Sequence, residues 1–351
     1  MLLKHTVVLV LVGSALGPLR ALAQENVAGK TEISSSGLAQ SSGSLLGASY
    51  AKPSPFIVAP GQIVTFFFRG VGPLPSGSTR FDDASTLPLP ETLAGLSLKI
   101  SQTGMASPLP VPLVSVRQEI ECDATSWECY LTAVRVQIPF ELAASTTPRV
   151  GPGGVEVPDA ELTLEEDGKA SRTFRLRPVS ENGHVLTSCD LAGDTNPDSS
   201  CSRVAYHADG RPVNMDTPAA LGEAIVIYAF GLGQTTPPAK TAEASGTGLS
   251  VLDPLQPRLI VTLQDSILNS SPALPRALIS GPYNSPFAKI DFAGLAPGQV
   301  GMYQINVPIP FSFQAPVRCG PDASVGAIRS NGLLQLTTAQ GTENVPICVA
   351  P

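Results

Sequence analysis

The chain has 351 residues, a net charge of −7 and only 15% charged residues, together with 34 prolines and 32 glycines. Its length is sufficient for two domains of ordinary size. Its 22 basic residues are scattered along the chain, which excludes the basic surface that nucleic acids and anionic lipids require. The high proline and glycine content is typical of short strands joined by turns and argues against a helical protein.

Residues 1–23 have the composition of a secretion signal. Lys4 lies in a short basic region, residues 7–12 form an apolar core, and residues 21–23 (ALA) match a small-residue cleavage site. The apolar core is too short to span a membrane, and no later stretch of the sequence is long and apolar enough to do so. We therefore expect cleavage after Ala23 and a secreted protein, either extracellular or in the cell envelope.

Residues 24–47 are rich in Ser, Gly and Ala and follow neither the helical nor the strand period, so they predict a flexible linker. Strand patterns dominate the chain after this linker. Residues 63–68 form a continuous apolar run, which is typical of a strand buried on both faces. Residues 96–100 and 134–138 alternate between apolar and polar side chains, as a half-buried strand does. The only candidate for a helical turn is residues 139–145 (PFELAAS).

Pairs of Asn or Asp followed by Gly punctuate the strand patterns. Residues 161–164 and 173–176 flank Asp167-Gly168, a pair that predicts a tight hairpin because both residues tolerate positive φ. The same turn signal recurs at Asn182-Gly183, Asp209-Gly210 and Asn331-Gly332. Strands and turns at this short spacing predict an all-β fold built from antiparallel β-sandwiches.

Two segments of the chain are repeated in the same order. Residues 61–72 (GQIVTFFFRGVG) align without a gap with residues 222–233 (GEAIVIYAFGLG), at an offset of 161. Residues 136–139 (VQIP) match residues 305–308 (INVP), at an offset of 169. Because the repeated unit has the size of a domain, we predict two tandem β-sandwich domains, residues 48–180 and residues 181–351.

The six cysteines all lie beyond the predicted signal peptide. An even number of cysteines in an oxidising compartment predicts disulfides, and proximity along the chain favours a local pairing. Structural zinc is disfavoured, because the sequence has no C-x-x-C motif and only two histidines follow the signal. The favoured pairs are Cys122–Cys129, Cys189–Cys201 and Cys319–Cys348.

One loop carries a partial calcium-binding pattern, and calcium is the cofactor that the sequence favours over zinc. Asp194, Asn196 and Asp198 place three oxygen donors at alternate positions, inside the loop that the second predicted disulfide closes. The match then fails, since Ser199 stands where a calcium loop has Gly and Ala205 where it has Glu. The preferred interpretation is a solvated, disulfide-closed loop, with weak calcium binding as the alternative.

Two sets of residues contain side chains of the kinds that hydrolytic enzymes use in catalysis. His184 and His207 are the only histidines after the signal, but no G-x-S-x-G nucleophile motif accompanies them, and His207 is predicted to be a solvent-facing turn residue. Residues 165–167 (EED) form an acidic cluster that could suggest glycoside cleavage, although charged residues at a hairpin turn are usually just solvated. We therefore assign no catalytic residue.

The second repeat carries the longest ordered motif of the chain. It contains residues 206–214 (YHADGRPVN), residues 217–237 (TPAALGEAIVIYAFGLGQTTP) and residues 292–310 (FAGLAPGQVGMYQINVPIP). These segments resemble secreted bacterial proteins that carry the Solibacter-type uncharacterised C-terminal domain, an Ig-like β module. The first repeat is similar over residues 47–64, 93–100 and 134–142 but lacks the YQ-x-N context. The resemblance implies an Ig-like fold and a secreted setting, and no inherited active site.

The conspicuous residues of this motif have structural interpretations. Gly231 and Gly233 are predicted to allow positive φ or a close approach of backbone at a strand end. Tyr303 is predicted to be buried with its hydroxyl hydrogen-bonded, and Gln304 and Asn306 to tie a neighbouring loop. A ligand-binding strip along this strand is the alternative.

The sequence thus predicts a secreted, non-enzymatic protein that serves as an extracellular or cell-surface structural or adhesion module. A carbohydrate- or protein-recognition module is the alternative, and a hydrolase is a distant third. The partner would be an extracellular protein or glycan, while nucleic acid and a membrane span are not expected. Sugar-binding surfaces use exposed aromatic faces, and the single tryptophan, Trp127, is the candidate ligand contact.

Overall fold

The computed structural model describes residues 32–36, 55–122, 129–144, 160–187, 203–246, 251–252, 260–269, 290–311, 313, 318–322, 327–338 and 341–350. Within these ranges the chain forms β-strands and turns and no α-helix. None of the described segments is a helix long and apolar enough to cross a membrane.

The strands of the first half form two sheets. Strands β1, β3, β9, β8 and β4 make one sheet, and β2, β11, β10, β6 and β5 make the other, with β7 beside β6. All pairs are antiparallel except β2 with β11, which is parallel. The strands are β1 (Glu32–Ser36), β2 (Phe56–Val58), β3 (Ile63–Arg69), β4 (Phe81–Asp83), β5 (Thr92–Leu93), β6 (Leu96–Gln102), β7 (Leu109–Val111), β8 (Leu113–Ile120), β9 (Tyr130–Gln137), β10 (Ala160–Glu166) and β11 (Lys169–Pro178).

The strands of the second half form two further sheets. One has the order β12-β14-β19-β18-β16-β15, with β13 beside β14, and the other has the order β17-β21-β20, with β22 beside β21. The strands are β12 (His184–Val185), β13 (Ala205–Tyr206), β14 (Ala224–Phe230), β15 (Thr235–Thr236), β16 (Val251–Leu252), β17 (Ile260–Asn269), β18 (Phe292–Leu295), β19 (Met302–Pro308), β20 (Gly320–Asp322), β21 (Ala327–Thr338) and β22 (Gly341–Ile347).

Each pair of sheets encloses its own apolar core. In the first, Phe68 on β3 lies 5.6 Å from Phe174 on β11, between ring centroids, so the aromatic rings bridge the two sheets. In the second, Ile227 on β14 and Ile305 on β19 share a buried cluster with Leu334 on β21. Two sheets packed face to face over a common core are a β-sandwich. The predicted all-β sandwich fold is therefore confirmed.

The repeated segments occupy matching strands. Ile63 on β3 pairs with Gln137 on β9, and Ala224 on β14 pairs with Pro308 on β19. The first segment keeps the offset of 161, but the second requires 171 (137 to 308) rather than the 169 inferred from sequence. A shift of two residues leaves the alternation of a strand unchanged, so the apolar pattern alone could not distinguish the two offsets.

The predicted linker contains a strand. Glu32–Ser36 forms β1 and pairs antiparallel with β3, placing Ile33 opposite Phe68. In the second half, β12 pairs in the same way with β14, and Val185 lies opposite Ala229. A flexible linker is therefore the wrong description of residues 32–36. Backbone hydrogen bonds to the edge of β3 stabilise this strand, and they do not require an apolar side-chain period.

The predicted turns have mixed outcomes. Asp167 and Gly168 both have positive φ, 49° and 77°, and connect β10 to β11 as predicted. Asp209-Gly210 also forms a turn, closed by a hydrogen bond of 2.8 Å from His207 N to Arg211 O. The predicted segment 139–145 begins with a turn, in which Leu142 N donates to Pro139 O at 3.2 Å.

Two Asn-Gly pairs are not hairpin turns. Asn331-Gly332 lies inside β21, where the side-chain amide of Asn331 donates to Val349 O at 2.9 Å and its oxygen accepts from Val349 N at 2.8 Å. Asn182-Gly183 leads into β12, and Asn182 N donates to Gly231 O at 2.7 Å. In both cases a hydrogen bond to a distant segment replaces the local turn.

Candidate functional site at the seam between the sandwiches

Several predicted site residues lie outside the described residues. These are the candidate ligand contact Trp127, the calcium candidates Asp194, Asn196 and Asp198, and the pair Cys189 and Cys201. Thr187 and Arg203, which flank the latter loop, form an antiparallel bridge that holds its two ends together. Among the described residues, no group of His, Cys, Asp or Glu could hold a metal ion.

Two of the three predicted disulfides are present in the described chain. Cys122 and Cys129 are joined across a Cα–Cα distance of 5.1 Å at the ends of β8 and β9. Cys319 and Cys348 are joined across 5.5 Å and connect the segment before β20 to the end of β22. The first bond therefore ties two paired strands, and the second ties two strands that each pair with β21.

The acidic turn after β10 is bound to a buried arginine. Arg80 has no exposed surface, and its guanidinium donates to both carboxylate oxygens of Asp167, at 3.2 and 2.8 Å, and to Glu166 at 3.3 Å. Its remaining donors bond to the carbonyls of Gly72 at 2.8 Å, Pro73 at 3.2 Å and Ala94 at 2.7 Å. The expectation of a merely solvated cluster is therefore wrong for these two residues.

The protonation of this cluster follows from the same contacts. Burial raises the pKa of Glu166 above its ordinary value, although Arg80 opposes this effect. The hydrogen bonds from Arg80 lower the pKa of Asp167. Hydrogen bonds from Lys99 and Ser97 lower the pKa of Glu165. Two carboxyls with divergent pKa values are a pattern of acid–base catalysis, but here the guanidinium occupies the space between the carboxylates and closes it to a substrate.

His207 is a buried partner of Glu223 and not the solvent-facing residue that the sequence predicts. Its side chain is only 8% exposed, its Nδ1 bonds to a Glu223 carboxylate oxygen, and its Nε2 donates to Thr217 O at 3.0 Å. Burial lowers the pKa of His207, but the hydrogen bonds to Glu223 and Thr217 outweigh burial and raise the pKa above its usual value. Both ring nitrogens are therefore donors to internal acceptors, and neither is available as a catalytic base.

His184 and the motif residues Tyr303, Gln304 and Asn306 also bond or pack within the protein. His184 is buried on β12 opposite Phe230. Tyr303 is fully buried and its hydroxyl donates to Gly233 O, as the sequence predicts, and burial raises its pKa far above the usual range. Gln304 donates to Asn306 at 2.9 Å, so these two amides bond to each other rather than to a neighbouring loop.

The connection between the two sandwiches requires the two glycines. Gly231 and Gly233 have φ values of 74° and 89°, and a Cβ atom on either would lie 2.3 Å from the carbonyl oxygen of Asn182 or Ser180. The predicted positive φ and close backbone approach are both observed. Asn182 also donates its side-chain amide to Gln62 Oε1 at 3.3 Å, so the connecting segment bonds to both sandwiches.

The two sandwiches meet at an interface that we call the seam. The turn after β9 inserts into the second sandwich at the centre of this interface. We call residues 138–140 (Ile-Pro-Phe) the first IPF turn. Phe140 is only 5% exposed and packs in the apolar cluster of the second sandwich. Its N–H donates to Thr241 Oγ1 at 2.8 Å, and its carbonyl accepts from Gln234 Nε2 at 2.6 Å.

Further backbone and apolar contacts surround the first IPF turn. Ala242, which has a positive φ of 69°, donates its N–H to Gln137 Oε1 at 2.7 Å and accepts from Leu89 N at 2.9 Å. On the other side of the seam, Ile63 of the first sandwich forms a small buried cluster with Leu186 and Phe230 of the second. Several polar groups are thus paired across the seam, although the Nε2 atoms of Gln62 and Gln137 are buried without a hydrogen-bond partner.

A cleft lies beside Phe140 in the seam. Its volume is about 160 Å³, and Lys240, Glu243, Ser245 and Gln299 are among the residues that line it. Ligand pockets commonly measure about 300–1,000 Å³. Lys240 and Glu243 form an ion pair of 3.6 Å and are largely exposed. The cleft is therefore too small and too open to define a small-molecule site.

The sequence did not predict the seam, although it held one signal for it. The tripeptide Ile-Pro-Phe occurs at residues 138–140 and again at residues 309–311. At the offset of 169 these tripeptides are out of register, and at 171 they coincide. The ion pairs of Arg80 join residues 86 and 87 positions apart in sequence, and no local pattern indicates them.

Comparisons with known proteins add little to this structure. No protein-family model matches the chain, and no curated protein matches it. A solved structure of FdeC, a broadly conserved Escherichia coli adhesin, is similar over 92% of this chain with 11% sequence identity and a TM-score of 0.20. This chain spans 65% of that one. The fold class of this protein, an all-β pair of sandwiches, rests on its own sheets and cores.

Proposed function

We propose that the protein is a non-enzymatic extracellular or cell-surface module with a structural or adhesive role. The observation that carries the proposal is the seam, in which Phe140 of the first sandwich is buried in the core of the second. A spacer or adhesin must keep a fixed geometry between its domains, and an interface with several direct hydrogen bonds and a buried aromatic residue supports such a geometry.

The chemistry of the candidate catalytic residues supports a non-enzymatic role. The ring nitrogens of His207 bond to Glu223 and Thr217, and Arg80 binds Glu166 and Asp167. A hydrolytic site needs a base or nucleophile that a substrate can reach. The two disulfides are compatible with an oxidising extracellular setting.

The distribution of exposed aromatic rings favours a structural role over glycan recognition. Within the described residues, the largely exposed aromatic side chains are Phe81, at 66%, and Phe311, at 81%. They belong to different sandwiches, and the Arg117 guanidinium lies 4.0 Å from the centre of the Phe81 ring. These two rings do not form the row of aromatic platforms that sugar-binding surfaces use.

To test this proposal, the mature chain is displayed on the surface of a non-adherent bacterial host. Attachment of the cells to immobilised collagen, fibronectin and mucin is then measured, together with attachment of the cells to each other. We expect attachment to at least one surface by the wild type and by the His184→Gln variant, and none by a Val64→Asp variant with a charge in the first core. Purified protein is tested in parallel on fluorogenic ester, peptide and glycoside substrates. Turnover that His207→Gln abolishes would contradict the non-enzymatic role, and absence of attachment would contradict the adhesive role.

A further inference from the structure

The two sandwiches each end a central strand in the same turn. The first IPF turn follows β9, and residues 309–311, which we call the second IPF turn, follow β19. Gly61 N donates to Ile138 O at 2.9 Å, and Gly222 N donates to Ile309 O at 2.7 Å. The chain then folds back identically: Leu142 N donates to Pro139 O at 3.2 Å, and Phe313 N donates to Pro310 O at 3.0 Å. The backbone geometry of the two turns is thus equivalent.

The two phenylalanine rings also rest on equivalent glycines. A Cβ atom on Gly61 would lie 2.1 Å from the Phe140 ring, and one on Gly222 would lie 2.3 Å from the Phe311 ring. Each ring therefore lies against the glycine of its own sandwich. The remaining surroundings differ, because Phe140 is 5% exposed in the seam whereas Phe311 is 81% exposed.

The seam shows what covers the outer face of such a ring. We call the residues that receive Phe140, namely Gln234, Thr241 and Ala242, the acceptor surface. It supplies a hydroxyl that accepts from the phenylalanine N–H, an amide that donates to its carbonyl, and a backbone N–H that bonds to the neighbouring Gln137. The apolar cluster of the second sandwich encloses the ring itself.

We propose that the second IPF turn is a docking surface for the end of another β-sandwich that presents such an acceptor surface. The partner has the chemistry seen in the seam: a hydroxyl acceptor, a side-chain amide donor and an apolar recess for Phe311. The wild-type chain cannot supply that partner to a second copy of itself, because Phe140 already fills its acceptor surface.

One residue beside the two turns differs in a way that defines the partner further. Gln62, after Gly61, is fully buried in the seam and accepts from the Asn182 amide at 3.3 Å. The equivalent residue after Gly222 is Glu223, whose side chain keeps 26% exposure while bonding to His207 and to Ala220 N. An amide or cationic donor on the partner would meet a carboxylate there, and such charge-assisted bonds are stronger than neutral ones.

The test vacates the acceptor surface in the full chain. The Gln137→Ala/Phe140→Ala variant loses the phenylalanine ring and a seam hydrogen bond, and circular dichroism checks that it is folded. Analytical ultracentrifugation should show a monomeric wild type and concentration-dependent association of the variant, as Phe311 of one molecule enters the vacant acceptor surface of the next. Adding Phe311→Ala should weaken this association by about 30-fold or more, the effect of losing one aromatic anchor.

The control adds Phe81→Ala to the same variant, which removes an exposed ring away from the turn and should leave the association unchanged. A Gln137→Ala/Phe140→Ala variant that stays monomeric at its highest soluble concentration would overturn the proposal. So would equal association with and without Phe311. Association of the wild type that Phe311→Ala abolishes would also overturn it, because it would show two IPF turns binding each other. Adherence plays no part in these readouts, so the outcome is separable from that of the proposed function.

Discussion

Replacing Phe140 with alanine tests whether the two sandwiches are stabilised as one unit. Removing a buried phenylalanine ring from a packed interior costs about 3–5 kcal/mol. Phe140 is 5% exposed and lies among side chains of the second sandwich, so we expect a loss within this range. Its hydrogen bonds to Thr241 and Gln234 use the backbone, so this single substitution removes no hydrogen-bonding group. The loss therefore reports the packing of the ring alone.

The structure also predicts where the loss is observed. Phe140 belongs to the first sandwich by sequence, but its ring supports the core of the second. In urea, the wild type should unfold in a single transition, and the Phe140→Ala variant should separate into two transitions as the coupling between sandwiches weakens. Hydrogen exchange followed by mass spectrometry should show faster exchange of amides in β14 and β19, which belong to the second sandwich.

The matched control is Phe311→Ala. This residue has the same local turn and rests on the equivalent glycine, yet it is 81% exposed. A substitution at such a surface position changes stability by about 0.5 kcal/mol or less. If Phe140→Ala were as mild as Phe311→Ala, or if exchange accelerated only in the first sandwich, the seam would not couple the two units.

Three further predictions concern the interior and the processing of the chain. Arg80→Ala should lower the free energy of unfolding in urea by about 3 kcal/mol, the lower end for a broken buried ion pair because both carboxylate partners are partly exposed, and Lys99→Ala should lower it far less. Because the pKa of His207 is raised on folding, its ion pair stabilises the protein fully below the pKa of an unfolded histidine, about 6.5. This contribution is lost as pH rises through the folded pKa, so the deficit of His207→Gln in urea should shrink from pH 6 to pH 9, and a constant deficit would contradict this assignment. Intact-mass analysis with thiol labelling should give a secreted chain that begins at Gln24 and takes up no label before reduction.

The elements that the sequence predicted share one property: their signal is contained within a short window. The buried run at residues 63–68 specifies β3, and the alternation at residues 134–138 overlaps β9. Asp167-Gly168 specifies its hairpin because few residues adopt two successive positive φ angles. In these cases the local backbone preference and the tertiary environment agree, and the pattern is sufficient.

The elements that the sequence missed depend on distant partners. Strand β1 has three serines and no apolar period, and it is a strand because β3 offers a free edge. Asn331-Gly332 has the composition of a turn, but Asn331 bonds to both backbone groups of Val349 and remains within β21. Arg80 and His207 are buried because carboxylates on other segments bond to them. No single window of sequence contains such information.

Position 62 and its equivalent, position 223, show how one repeated turn came to serve two environments. In the seam the residue is a neutral glutamine with no exposed surface, and it shares its oxygen between Ala59 N, at 2.9 Å, and the Asn182 amide. A carboxylate there would be a buried charge with only amide donors as partners, which is costly. At the other end the residue is Glu223, and the cation of His207 compensates it. The substitution therefore follows burial: the neutral residue lies where a second sandwich excludes water, and the charged pair lies where the turn remains open to a partner.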